Sequence, residues 1–290
     1  VWKKIFYKIK EAYMGLRVAT NIASINGQKV IGSVQRGMEK SYAQLSSGSR
    51  ITKAADDAAG LSISETLKST IRGYNQAKRN AGDAVSMVQV SEGGLSEISN
   101  MLTRMRELGV QAASDTVGEK ERGFIDLEVQ QLKNEVERIA KTTRFGSTNL
   151  LDGSGAEYEF QVDINNNEFN DRISFDASKQ NATISAIGID GFDFSTKEGA
   201  REALEQLELS QVQVNGHRAT LGAIQNRLIS TQENLSNASE NFSSANSRIR
   251  DTDVAESSAA LASQQVLQSA AIGVLSQANS STASALKLIG

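Results

Sequence analysis

The sequence predicts a mainly α protein. A long antiparallel coiled-coil helical hairpin is built from both chain ends, with a small central β-hairpin element between its arms. Three observations predict it. Proline is absent from all 290 residues, so nothing removes a backbone donor or clashes with the preceding turn inside a long helix. Apolar residues recur in steps of three and four over unusual distances, the period of a helix face. One central stretch changes to a period of two, the period of a strand.

The rods come first. Leu67, Ile71, Tyr74, Ala81, Val85, Val88, Leu95, Ile98, Leu102 and Met105 keep one face apolar over 39 residues, a rod of roughly 57 Å at the helical rise. Leu221, Ile224, Leu228, Thr231, Leu235, Ala238, Phe242, Ala245 and Ile249 alternate three and four without a slip. Such a 3.5-residue period keeps a seam facing its partner as helices supercoil. A shorter helix carries Ile125, Val129, Leu132, Val136 and Ile139. Thin rods of this kind gain most of their stability from packing, so they must bundle. His217 extends the second seam between Val214 and Leu221 and reads as a packed, neutral histidine rather than a ligand.

The ends differ from the rods. Residues 16–47 present Val18, Ile22, Ile25, Ile31, Val34, Met38 and Leu45 at helical spacing, interrupted by Gly27, Gly32 and Gly37. Each interior glycine costs about 1 kcal/mol relative to alanine. Residues 253–288 carry Leu267, Ala271, Val274 and Ala278 among small Ala and Ser, with Leu286 near the end. Both ends are amphipathic but marginal helices that order on finding a partner, the profile of assembly arms. Between the rods, Tyr158, Phe160, Val162 and Ile164, then Ile173 and Phe175, then Ile184, alternate with polar residues among Gly153, Gly155, Gly188 and Gly191. That stretch reads as the small β element.

Composition excludes several classes of function. With 39% hydrophobic residues and a net charge of -3 the chain is too apolar for disorder. Zero cysteines remove disulfides, thiolate metal sites and thiol catalysis. A single histidine removes histidine clusters and most acid–base relays. The charge balance gives no nucleic-acid footprint, and no apolar run is long enough to insert into a membrane. Asp163, Asn165 and Asn167 begin like a calcium loop, but Glu168 and Ser174 stand where glycine and glutamate are required. Asp56-Asp57 is better suited to helix capping than to paired-carboxylate chemistry. No catalytic, cofactor or metal site is expected.

Several blocks carry a resemblance. Leu45-Ser46-Ser47-Gly48-Ser49-Arg50-Ile51, followed by Ala54-Ala55-Asp56-Asp57-Ala58-Ala59-Gly60-Leu61, resembles the N-terminal signature of bacterial flagellins. Arg106-Glu107-Leu108, Phe145-Gly146 with Asn149-Leu150-Leu151-Asp152-Gly153, Leu221 through Leu228, and Arg250-Asp251-Thr252-Asp253-Val254-Ala255 agree in order and spacing. The resemblance implies a non-enzymatic structural subunit that polymerises with itself into the extracellular flagellar filament. It further implies a type III flagellar exporter, an export chaperone, and filament cap and hook-associated proteins as partners. A hook–filament junction protein is the nearest alternative, and the blocks at 145–153 and 221–228 favour flagellin over it.

The same resemblance divides the chain. Residues 14–50 and 251–290 form filament-core helices, 51–149 and 197–250 outer-tube helices, and 150–196 a small β element in place of variable domains. Val18, Ile22, Ile25, Val34, Leu45, Leu267, Val274 and Leu286 are then the assembly residues of the core helices. Arg104, Leu108 and Glu128 resemble the patch that animal toll-like receptors detect. Residues 1–13 match no flagellin feature, contain the only tryptophan, and show no apolar region followed by a small-residue cleavage site. They read as a non-native extension, and export is expected without a cleaved signal peptide.

Overall fold

The computed structural model of the chain describes residues 20–289, with side chains through Ser284. In order, its elements are helices α1 (Ile22–Ser47), α2 (Ala58–Ala112) and α3 (Glu119–Thr142), strands β1 (Arg144–Phe145), β2 (Thr148–Asn149), β3 (Glu157–Gln161) and β4 (Arg172–Asp176), and helices α4 (Ile184–Ile187), α5 (Lys197–Arg250) and α6 (Val254–Ile289). The fold is mainly helical, as expected. Two compact units divide the chain, residues 67–244 and the two chain ends (1–66 with 245–290), so α2 and α5 contribute to both.

Residues 67–244 contain the hydrophobic core. On α2 the buried row is Ala77, Ala81, Ala84, Val88, Ser91, Leu95, Ile98, Leu102 and Met105, alternating four and three throughout. On α5 the corresponding row runs Ala200, Ala203, Leu207, Ser210, Val214, His217, Leu221, Ile224 and Leu228, with His217 and Ile224 partly buried. The helices run antiparallel, as their side-chain pairs show: Lys78 donates to Ser236 (3.1 Å), Arg218 pairs with Glu92 (3.0 Å) and Gln211 donates to Ser99 (2.7 Å). Alanine and serine let the seam close tightly, and its hydroxyls stay satisfied. The Ser91 hydroxyl donates to the Met87 carbonyl, and that of Ser210 to the Ile187 carbonyl.

Helix α3 turns back along α2. Its turn is fixed by Arg122, whose Nε donates to the Ala112 carbonyl (2.8 Å) and whose Nη2 donates to the Ser114 carbonyl (2.9 Å), oxygens freed where α2 ends. The apolar row of α3, Ile125, Val129 and Val136, is buried. Beside it runs a polar row in steps of four, three and four. Asp126 accepts from the Phe194 amide (3.0 Å), Gln130 donates to the Phe192 carbonyl (3.0 Å), Lys133 donates to the Asp190 carbonyl (2.5 Å) and Glu137 accepts from the Ile184 amide (2.9 Å). This row holds the irregular 184–194 backbone against the bundle, so that Ile187, Ile189, Phe192 and Phe194 become core residues.

The β element is a hairpin in which Tyr158 pairs with Phe175 and Phe160 with Ile173, matching the sequence alternation. Two details differ from expectation. Ile184 opens the short helix α4 rather than a strand, because Glu137 captures its amide. Extended structure also begins before residue 150, in the two-residue pair β1–β2, which seats Leu150 and Leu151 fully in the core. The calcium-like stretch is a turn: Asn167 Oδ1 accepts from the amides of Phe169 and Asn170, and Asp163 Oδ1 from that of Ile164. Among the described residues no cluster of His, Cys, Asp or Glu is arranged to hold a metal, and no helix is long and apolar enough to cross a membrane.

Two predictions follow from this packing. Arg122→Ala should destabilise the chain by about 1–3 kcal/mol, because it strips buried carbonyls of their donor; a urea titration monitored at the helical band measures it. The second concerns pH. Burial holds the His217 pKa below its ordinary 6.5, and its buried Nε2 has no hydrogen-bond partner. Above that pH the ring is neutral folded or unfolded and contributes no pH dependence. As pH falls below 6.5 the unfolded chain takes the proton first, so stability is lost. The urea midpoint should drop between pH 7.5 and 5.5 by more in the natural chain than in His217→Gln.

Candidate assembly surface

The chain ends meet through the motif blocks at 45–61 and 250–255. Gly48 caps α1 with φ 68°, a left-handed conformation that glycine adopts without strain. The chain then crosses to the far end of the sequence. Ser49 forms an antiparallel bridge with Asp251, the Arg50 amide donates to the Arg250 carbonyl (2.6 Å), and the Thr252 amide donates to the Gly48 carbonyl (3.0 Å). The Arg50 guanidinium donates to the Ile249 carbonyl (2.8 Å), while Arg250 pairs with Glu65. The two signatures are the two halves of one backbone clasp.

The acidic residues of the signature hold the loop after the clasp. Asp56 accepts from the Thr52 hydroxyl (2.9 Å) and the Lys53 amide (3.1 Å) and pairs with Lys40 (3.3 Å). The Thr52 hydroxyl foremost, then the Lys53 amide, lower its pKa to about 2. Asp57 caps α2 by accepting from the Gly60 amide (2.8 Å). Gly60 has no room for a side chain, since a Cβ there would overlap the Asp57 carboxylate and come within 2.9 Å of Ile51 Cδ1. These carboxylates do folding work, as capping chemistry predicted. Asp253 caps α6 in the same way, accepting from the amides of Ala255 and Glu256.

Beyond the clasp α1 and α6 lie antiparallel. The Asn21 amide donates to the Ala278 carbonyl (3.0 Å), Ser41 donates to Gln264 (3.4 Å) and Gln265 donates to the Tyr42 hydroxyl (3.3 Å). The less exposed row of α1 is Ser24, Gly27, Ile31, Val34, Met38, Ser41 and Leu45. That of α6 is Ser257, Leu261, Gln264, Gln268, Ala271, Leu275, Ala278 and Thr282. Both alternate three and four, the seam of an antiparallel coiled coil, and they mix the apolar Ile31, Val34, Met38, Leu45, Leu261 and Leu275 with small and polar residues. The glycines bring the helices close: a Cβ on Gly27 would lie 3.3 Å from Leu275 Cδ1, and one on Gly37 2.8 Å from Gln264 Nε2.

Other apolar side chains of this pair point outward. Ile25 is 55% exposed, Val266 70%, Ile272 54% and Val274 62%, with Ile22, Val30, Tyr42 and Leu267 similarly open. Of the residues predicted for assembly, Val34 and Leu45 lie partly buried on the seam, whereas Ile22, Ile25, Leu267 and Val274 lie on the open face. Val18 falls outside the described residues, as does the side chain of Leu286. Between Glu256 and Lys287 the sequence of α6 carries no charged residue. Between those two residues α6 exposes an uncharged apolar surface that no described residue covers.

The triad expected to form a receptor patch does not assemble as a surface. Arg104 and Glu128 are exposed and pair at 2.9 Å, with Glu107 on the same guanidinium at 3.0 Å. Leu108 is only 3% exposed. It lies in the core because it continues the inward face of α2 below Met105, so its side chain is not part of the exposed patch. Sequence reading missed the open residues Phe124 and Leu127 on α3, although both fall off the apolar row it identified there.

Comparison with known proteins finds similar chains along nearly the whole length. The family model of the bacterial flagellin N-terminal helical region matches residues 18–156, and that of the bacterial flagellin C-terminal helical region matches residues 204–289. A flagellin of Halalkalibacterium halodurans is 38% identical over 93% of this chain and 98% of its own length. A flagellar filament core protein of Brachyspira hyodysenteriae is 36% identical over 94% of this chain and 99% of its own. Among solved structures, a flagellar hook-associated protein from Vibrio parahaemolyticus shares the fold, with TM-score 0.57 at 14% identity over 68% of this chain and all of its own.

The seam makes its own prediction about the three glycines. Gly32 faces only Arg36 of its own helix, at 3.8 Å, so Gly32→Ala should raise the stability of α1 by up to about 1 kcal/mol. Gly37→Leu should instead force α6 away, since its branched side chain enters the space of Gln264. Hydrogen exchange of the α1 amides should slow in the first variant and quicken in the second.

Proposed function

Since this chain belongs to the bacterial flagellins and is a structural subunit of the flagellar filament, we propose that the open apolar faces of α1 and α6 are the surfaces its copies bury when they polymerise. The single observation that carries this reading is the set of apolar side chains left open on the end pair, Ile22, Ile25, Val266, Leu267, Ile272 and Val274, beside a seam that is only partly apolar. Such a pair has little to gain from water and much from being surrounded by others of its kind. Ile22, Ile25, Leu267 and Val274 are then intersubunit contacts, while Val34 and Leu45 set the seam that presents them. The role is purely structural.

Family membership supports the remaining partners: a type III flagellar exporter, an export chaperone, and the cap and hook-associated proteins between which a filament grows. The charge-free stretch of α6 between Glu256 and Lys287, with its open apolar face, is a segment that benefits from a chaperone before assembly. Recognition by an animal toll-like receptor would rest on Arg104 and Glu128 without Leu108.

Ile25→Asp and Val274→Asp test the proposal in the purified full chain. Burying an unpaired carboxylate costs several kcal/mol, so each variant should raise the subunit concentration needed for polymerisation by at least about a hundredfold. Thermal unfolding of the core of residues 67–244 should not move, because neither position touches it. Sedimentation and electron microscopy read the result, and filaments at the natural concentration from both variants would reject the proposal.

A further inference from the structure

Residues 67–244 have a core of their own, yet two large apolar pairs lie outside it. On α3, Phe124 is 71% exposed and Leu127 62%; on α5, Leu209 is 58% exposed and Val212 64%. Each pair is spaced i, i+3, so its members share one helix face. Each lies on the far side of its helix from the buried row, Ile125, Val129 and Val136 on α3 and Ala203, Leu207 and Val214 on α5. The two pairs therefore point away from the bundle in different directions, and neither can cover the other within one chain.

Their surroundings match position by position. Lys120 stands four residues before Phe124, and Glu205 stands four residues before Leu209. Both are exposed, and neither takes part in an ion pair among the described residues. A constant offset of 85 aligns Lys120 with Glu205, Phe124 with Leu209 and Leu127 with Val212. This alignment requires the two helices to run in the same direction. Within one chain they do: α3 is antiparallel to α2, by the Arg104–Glu128 and Arg122–Ala112 contacts, and α5 is antiparallel to α2 by its own pairs. Two copies in the same orientation thus present α3 of one to α5 of the next with the polarity the alignment needs.

We propose that the Phe124–Leu127 face of α3 docks on the Leu209–Val212 face of α5 of a second copy, with Lys120 facing Glu205. The contact is heterologous, one patch on one copy meeting a different patch on the next. Repeated, a contact of that type generates open arrays rather than closed pairs. It rests on the filament reading and deepens it by naming the lateral faces that mate outside the chain ends.

The absence of cysteine gives the test a clean background. Gln131→Cys and Gly216→Cys, one on each chain, stand one turn after Leu127 and Val212 at the same offset, are exposed, and leave both apolar pairs intact. The two single variants are mixed, polymerised and treated with mild oxidant or a short bismaleimide. A mixed dimer that forms in filaments, and not in the unpolymerised mixture, is expected. Filaments in normal yield without the mixed dimer would overturn the docking and leave the filament reading intact. Failure of the unaltered chain to polymerise would overturn both. Independently, Phe124→Ser with Leu127→Ser should raise the concentration needed for polymerisation about tenfold without changing the monomer's unfolding curve. No rise would likewise overturn the docking.

Discussion

A seven-residue repeat, run in opposite directions on paired helices, is the constraint from which the rest of this molecule follows. It operates twice. In residues 67–244 it pairs α2 with α5, and in the chain ends it pairs α1 with α6. The geometry is the same and the filling is not. Val88, Leu95, Ile98 and Leu102 opposite Leu207, Val214 and Leu221 supply the buried apolar area that holds a helix pair together. Between α1 and α6, Ile31, Val34, Met38 and Leu275 share the seam with Ser24, Gly27, Ser41 and Gln264, so part of the apolar content gives way to close approach and a few hydrogen bonds, each worth about 1 kcal/mol in net terms. One repeat makes a core, and the other makes a scaffold for residues that face away from it.

Polar side chains then do what the thin seams cannot. The row Asp126, Gln130, Lys133 and Glu137 pins an irregular segment by its backbone, which turns a loop without secondary structure into a source of buried phenylalanines. Arg122 closes the end of α2, and Asp57 and Asp253 open α2 and α6. Arg50 and Arg250 bind each other's stretch of chain through main-chain atoms, so the pairing of the ends depends on backbone geometry more than on side-chain identity. Capping groups and clasps matter most in a protein whose helices bury little, because each unsatisfied terminus is a larger fraction of a small net stability.

Much of this was legible in the sequence because a packed seam writes itself as period. From Val214 onward the α5 row was readable residue by residue, and the α2 row nearly so. There Ala77, Ala84 and Ser91 escaped notice because small and polar residues do not register as apolar. The β-hairpin register was legible from alternation alone. Period failed where the burial that decides orientation is not within the chain. On α6 the apolar Leu267 and Val274 suggest a seam, but the helix turns Gln264, Gln268 and Leu275 inward instead. Leu108 was assigned to a surface by resemblance, although its place one turn below Met105 on the buried row marks it as core. Arg122 could not be read at all, since a guanidinium's carbonyl partners leave no trace in spacing.

The contrast between the two pairs bears on how a subunit of this family stays soluble before it polymerises. If every apolar surface lay on a preformed core, copies would associate wherever they met. Here an open apolar surface sits on two helices whose own seam is partly small and polar, so holding it in place has an entropic cost that the pair offsets only in part. On the proposed reading the rest of that cost is offset only where several ordered copies already surround the site, because then the outward faces of α1 and α6 are covered on all sides at once. A lone encounter between two free subunits covers a fraction of those faces and bears the whole ordering cost. Growth at an existing end is therefore favoured over the start of a new array, for the same reason that extending a helix is easier than nucleating one. Apolar faces turned away from the seam make the ends poor partners in pairs and good partners in a lattice.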